Sequence, residues 1–193
     1  GAIFGPFAAY LILRAYPEGF NIIFVVAFII GLLAIASLIF VKDIVGEVRK
    51  GNMSLASLAV FSPNFKRYLV ALFFLSAGSV PVALLLLKTQ HLGLALASIP
   101  LFYMLYNLSF AGFSVKAGGM SDRVGPQTVM RLGYIILLVG YFVIFFAENT
   151  IVLALGFLIL GLFPALTDGV TRALAAGLSH EGNRASAYGM VNA

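Results

Sequence analysis

The sequence predicts an all-α, polytopic membrane helix bundle of about seven spans, two of them truncated. Three observations predict it. Of the 193 residues 62% are hydrophobic and only 10% are charged, apolar runs of spanning length recur along the chain, and the positive charges sit in the gaps between those runs. A soluble domain carries about 25% charged residues. A mean hydropathy of +1.06 leaves more apolar surface than a chain of this size can bury in its own core, so the solvent is lipid. Each run is apolar on all sides, so periodicity does not separate helix from strand. Length decides, together with the need to pair every backbone N–H and C=O within the segment once water is gone.

The first run, Gly1–Leu13, is short and reads as a truncated span; Phe20–Val41 is full length. Lys42–Asn64 is the one long gap. It holds Lys42, Asp43, Glu47, Arg49 and Lys50 and reads as a central loop between two bundles, with an amphipathic turn around Leu55–Val60. Pro63 ends it, and Lys66 and Arg67 open the next run, Phe65–Leu87. Ser76, Gly78, Ser79 and Pro81 give that run a kinked, polar middle, either a discontinuous helix of the kind that marks transporter sites or a packing kink. Leu94–Val115 follows, and then Gly118–Gly125, a short, charged, glycine-rich turn. Val129–Ala147 and Ile151–Leu166 come next, the latter continuing as an interfacial helix to about Leu178. The last run begins near Arg184 and reads as cut at Ala193.

Charge asymmetry orients the spans. Ten of the twelve basic residues (Lys42, Arg49, Lys50, Lys66, Arg67, Lys116, Arg123, Arg131, Arg172 and Arg184) fall in one set of alternate gaps. Only Arg14 and Lys88 fall in the other. The first set, central loop included, is therefore expected in the cytoplasm, as in a multi-pass protein of a prokaryotic inner cell membrane. The net charge of +5 forms no basic face with interleaved polar residues, which excludes nucleic acid as a partner. With no cysteine, disulfide and thiolate chemistry are excluded. His91 and His180 lie in loops without ligand or nucleophile partners at useful spacing, and no HExxH, nucleotide-binding or intramembrane protease pattern occurs. No metal, cofactor or catalytic residue is expected, and the chain does not read as an enzyme. All seven acids (Glu18, Asp43, Glu47, Asp122, Glu148, Asp168 and Glu181) are placed at or near span ends.

Gly118, Asp122, Arg123 and Gly125 resemble the signature loop of the major facilitator superfamily, Gly-x-x-x-Asp-Arg/Lys-x-Gly followed by two basic residues. Pro126 and Gln127 stand where that pair belongs, and Arg131 is the next positive charge. The segment Ala77–Gly133 is similar to spans seven and eight of such proteins. Leu166–Leu174 with Arg184 and Ala187–Gly189 is similar to span ten and the entry to span eleven. Family members often carry an acid near position 177 and a proline near 181, where this chain has Gly177 and Glu181. On that registration residues 1–41 are the last two spans of an N-terminal bundle, 42–64 a cytoplasmic central loop, and 65–193 the C-terminal bundle from span seven to the start of span eleven. The missing N-terminal half of the same chain is then a partner. The resemblance implies a two-bundle fold of three-helix repeats, in which the 118–125 turn latches the bundles on the cytoplasmic side as a gating loop.

Three further groups are singled out. Gly1, Gly5 and Pro6 resemble the span-five motif of proton-coupled exporters, although Ala9 and Tyr10 replace its closing glycines; the other reading is a small-residue packing face with a helix-bending proline. Asp168 and Arg172, four apart on a helix, can pair as a gating or structural charge pair. Tyr103, Tyr106 and Asn107 fall on one stripe, continued by Phe110 and Ser114. They line a substrate cavity together with Ser79, or Asn107 makes a helix-to-helix hydrogen bond. The function implied is a secondary active transporter moving a small solute across the bilayer by alternating access, leaning to proton-coupled efflux of drug-like compounds. Symport or facilitated uptake of a sugar or organic ion is the alternative within that class; a non-transporting receptor or scaffold, or a membrane enzyme, is the alternative outside it.

Overall fold

The computed structural model describes residues 3–40, 61–179 and 183–192. Gly1 and nearly all of the expected central loop, including its turn at Leu55–Val60, lie outside them. All regular structure among the described residues is helical: α1 (Phe4–Ala15), α2 (Phe20–Leu38), α3 (Pro63–Ala77), α4 (Val82–His91), α5 (Ile99–Val124) after a 3-10 turn at Leu96–Ser98, α6 (Pro126–Phe145), α7 (Thr150–Gly177) and α8 (Arg184–Asn192). Phe20–Leu38, Pro63–His91, Leu96–Val124, Pro126–Phe145 and Thr150–Gly177 are long and apolar enough to cross a membrane. With α1 and α8 these are the expected seven segments in the expected order.

The helix ends follow from local chemistry. Ser62 caps α3 by accepting the Phe65 N–H at 3.3 Å, and Pro63 occupies the first turn, where its missing N–H costs nothing. Asn149 caps α7, accepting the Val152 N–H at 2.9 Å. The kinked run breaks as expected. Residues Gly78–Pro81 are non-helical between α3 and α4, and the hydroxyl of Tyr141 on α6 takes up the Val80 N–H at 2.7 Å. A freed backbone group at membrane depth is thus paired by a neighbouring helix.

α7 is the axis of the bundle, packed along its length against α5 on one side and α6 on the other. Its buried positions, among them Leu153, Phe157, Leu160, Pro164, Thr167, Val170 and Leu174, recur every three or four residues. Between lipid-facing helices the hydrophobic effect supplies little, so association rests on close backbone approach at small residues. On α6, a Cβ at Gly133 would stand 2.6 Å from Thr167 Cγ2, and one at Gly140 would overlap the Leu160 side chain. On α7, a Cβ at Gly156 would meet Ile144 Cγ1 at 2.5 Å. These contacts run antiparallel along the helix pair. Large apolar side chains elsewhere face outward: Phe24, Phe28, Leu33 and Phe40 on and after α2, and Leu138, Phe142 and Phe145 on α6.

Two expectations change: the turn at 118–125 and the place of Asp168. Gly118–Gly125 is not a turn: α5 stays helical through Val124, and the chain reverses at Gly125 alone, with φ +87°. Gly118 and Gly119 are poor helix formers, but they are flanked by Ala117 and Met120, which pack into the core, and packing outweighs about 1 kcal/mol of propensity per glycine. The helix after Thr150 continues past Leu166, as expected. It runs unbroken through Pro164 to Gly177, about 42 Å at 1.5 Å per residue. Asp168 therefore lies more than two turns inside α7 instead of near its end. Pro6 falls in the first described turn of α1, and a Cβ on Gly5 would meet nothing within 4 Å among the described residues.

Candidate functional site

The site is built where α5 and α7 cross and then diverge. At the crossing Gly161 lies against the main chain of Tyr106, so tightly that a Cβ would overlap the Tyr106 carbonyl oxygen, with Ser109 Cβ at 2.8 Å. Only glycine lets the two backbones meet here. One turn further along α7, Pro164 removes a backbone donor, and Thr167 spends its hydroxyl on the Phe163 carbonyl at 2.8 Å. Beyond that point the helices separate, leaving a groove of about 350 Å³.

The walls of the groove combine small and polar residues with the apolar Phe110 and Val170. Ser114, Gly118, Ser121 and Asp122 come from α5, and Ala165, Asp168, Gly169 and Ala173 from α7. Positions 114, 118, 121 and 122 share one face by the three-to-four-residue repeat of the helix, and so do 165, 168, 169 and 173. Cβ atoms on Gly118 and Gly169 would meet nothing within 4 Å. Their role in this arrangement is to leave volume, not to permit contact. Two carboxylates from different helices, Asp122 and Asp168, thus share one groove at the end of the bundle that gathers most of the described arginines.

The predicted site residues divide accordingly. Gly118, Asp122 and Asp168 are brought together. Arg123 is exposed and does not line the groove, and Gly125 forms the reversal behind it. Arg172 stands one turn along α7 from Asp168. No direct ion pair joins them among the described residues, which corrects the expected pairing. Both are exposed, where solvation competes with the contact.

Tyr103, Tyr106 and Asn107 lie up the helix from the groove. The two tyrosine rings stack with centroids 6.0 Å apart. Asn107 is buried, but its amide donates to the Tyr103 carbonyl of its own helix at 2.9 Å, not to a neighbouring helix. A carbonyl one turn back was within reach all along. Tyr106 packs against the core around Phe102 and Phe157. Ser79 returns its hydroxyl to the Leu75 carbonyl at 2.9 Å beside the α3–α4 break. Among the described residues no group of three or more His, Asp or Glu side chains converges as a metal site requires.

Sequence reasoning missed Gly161, Pro164, Ser121 and Tyr141. The seven-residue spacing of Gly133 and Gly140, which puts both on one helix face, was a visible signal of helix contact. Nothing around Tyr141 distinguished it from a lipid-facing tyrosine.

A family model described as Major Facilitator Superfamily matches residues 1–193. The chain is also 27% identical over 199 residues to an uncharacterised MFS-type transporter of Methanocaldococcus jannaschii, in an alignment covering 98% of this chain and 49% of that protein. The chain therefore spans about half the length of this curated relative. No solved structure matches the chain.

Proposed function

The chain belongs to the Major Facilitator Superfamily, and on that premise we propose that the protein it represents is a secondary active transporter working by alternating access. Its mode in this proposal is proton-coupled efflux of drug-like compounds, with the basic ends of the helices in the cytoplasm and the central loop joining two bundles there. The observation that carries the reading is the groove between α5 and α7, which is lined by Asp122 from one helix and Asp168 from the other.

The chemistry follows from two charges on two helices. Bringing the walls together moves two carboxylates closer, which costs free energy unless a proton, a cationic solute, Arg123 or Arg172 compensates. The crossing at Gly161 and Tyr106 is tight enough to act as a fulcrum, and the glycines below it leave room for the walls to close. Closure of the groove is thereby linked to what neutralises it, which is the requirement for coupled exchange.

The test uses the whole protein in proteoliposomes, with a pH gradient imposed and ethidium as the probe. Gradient-driven ethidium movement, abolished by a proton ionophore and cut at least tenfold by Asp168→Asn, is the expected result. Flux of a sugar without response to ethidium would instead favour symport uptake. No movement of any probe under any gradient would end the transporter reading.

A further inference from the structure

A second cavity, on the far side of α7 from the groove, carries a different chemistry. It is a cleft of about 1000 Å³ between α3, α6 and the end of α7. Its floor is apolar, built from Ala71, Leu72 and Leu75 of α3, Met130 and Ile135 of α6, and Leu174 of α7. Its rim is not. Arg67 lies within two turns of the start of α3, and Arg131 within two turns of the start of α6. Asn64 and Gln127, in the opening turns of the same helices, add amide donors to the same rim. Both arginines are exposed, and among the described residues no carboxylate lines the cleft.

We propose that this cleft binds an anionic phospholipid, with the phosphate held between Arg67 and Arg131 and an acyl chain lying along the apolar floor. Each half of the cleft argues for the same ligand. A guanidinium offers a planar fork of donors that matches a phosphate, and two of them from separate helices can grip one phosphate from both sides. A soluble anion uses only the rim and leaves the apolar floor empty. A neutral lipid uses the floor and leaves two positive charges without a partner at the membrane edge. An anionic phospholipid satisfies both, and basic clefts between transmembrane helices are established lodgings for such headgroups. Tyr68, which reaches across by donating its hydroxyl to the Thr171 carbonyl at 3.1 Å, fixes α3 to α7 and keeps the cleft walls apart at a set distance. A lipid seated here bridges α3 and α6, two helices that no hydrogen bond joins at this end among the described residues.

The experiment takes the whole protein in a neutral detergent and measures binding of tail-labelled phosphatidylglycerol by anisotropy, with phosphatidylcholine of the same chains and inorganic phosphate as competitors. Phosphatidylglycerol is expected to bind and to be displaced by unlabelled phosphatidylglycerol, but not by the other two at equal concentration. Arg67→Gln and Arg131→Gln should each weaken binding about fivefold, and the pair together by more than tenfold. Ala71→Phe, which fills the floor without touching a charge, should also weaken it. Lys116→Gln, whose ammonium sits 5.4 Å above the Phe113 ring outside the cleft, should change nothing. Equal competition by inorganic phosphate would overturn the proposal in favour of a free-anion site. Equal competition by phosphatidylcholine would reduce the cleft to an apolar groove. No binding by the unaltered protein would mean that another part of the whole protein fills it.

Discussion

Replacing Gly161 by alanine tests the α5–α7 crossing on which the site depends. In an ordinary helix interior the exchange is favourable, because alanine exceeds glycine by about 1 kcal/mol in helix propensity. Here the sign should reverse. The new methyl would overlap the Tyr106 carbonyl oxygen and stand 2.8 Å from Ser109 Cβ and 2.9 Å from the Tyr106 carbonyl carbon. Two of these three contacts are backbone, so no side-chain rotation relieves them. The helices must part by about 1 Å, and overpacking of this kind costs about 1–3 kcal/mol. The loss spreads along one of the two main interfaces of α7, so transport should fall with stability. The assay is thermal unfolding of the purified whole protein in detergent, with Gly112→Ala as control. Gly112 is also in the interior of α5, yet a Cβ there would meet nothing within 4 Å. The expected result is a clear drop in Tm for Gly161→Ala and no change or a rise for Gly112→Ala. Equal Tm values for the two variants would refute the close crossing and the fulcrum built on it.

Other substitutions probe single features. Gly125→Ala forces a side chain into φ +87° and ψ 146°, a conformation close to glycine-only, and should cost about 1–3 kcal/mol in the same unfolding assay. Tyr141→Phe leaves the Val80 N–H without its acceptor. It should destabilise by about 1–3 kcal/mol and speed amide exchange at Val80, whereas unchanged exchange would mean that the break is paired in another way. Asn149→Ala removes the cap of α7 and should cost about 1 kcal/mol, with Asn149→Ser recovering most of it.

The sequence exposed the membrane class, the order of the segments and the family because each depends on composition or on residues close together in the chain. The break at Gly78–Pro81 was legible for the same reason, since proline and glycine act locally. Helix ends were less so. Val115 seemed a boundary because charges and glycines follow it, yet α5 runs on to Val124 on the strength of Ala117 and Met120 packing against distant residues. The continuation of α7 past Leu166 was legible to within a residue or so, and tertiary contacts at Val170 and Leu174 carry it past the polar stretch. The pairing of Asp122 with Asp168 across one groove could not be read from the chain, because they lie 46 positions apart by number and meet only through the crossing of their helices.

Opening and closing of the α5–α7 groove at the basic end is the motion that the proposed transport cycle requires. It is tested most directly by placing a single cysteine at Ala173 on the groove wall, in a chain stretch that has none of its own. Labelling by a membrane-impermeant maleimide is then followed in inverted vesicles, relative to a Thr128→Cys control on exposed α6. The account predicts that imposing the coupling gradient changes the labelling ratio severalfold, and that Asp168→Asn abolishes the change. A ratio identical with and without the gradient, in vesicles that transport, would contradict it.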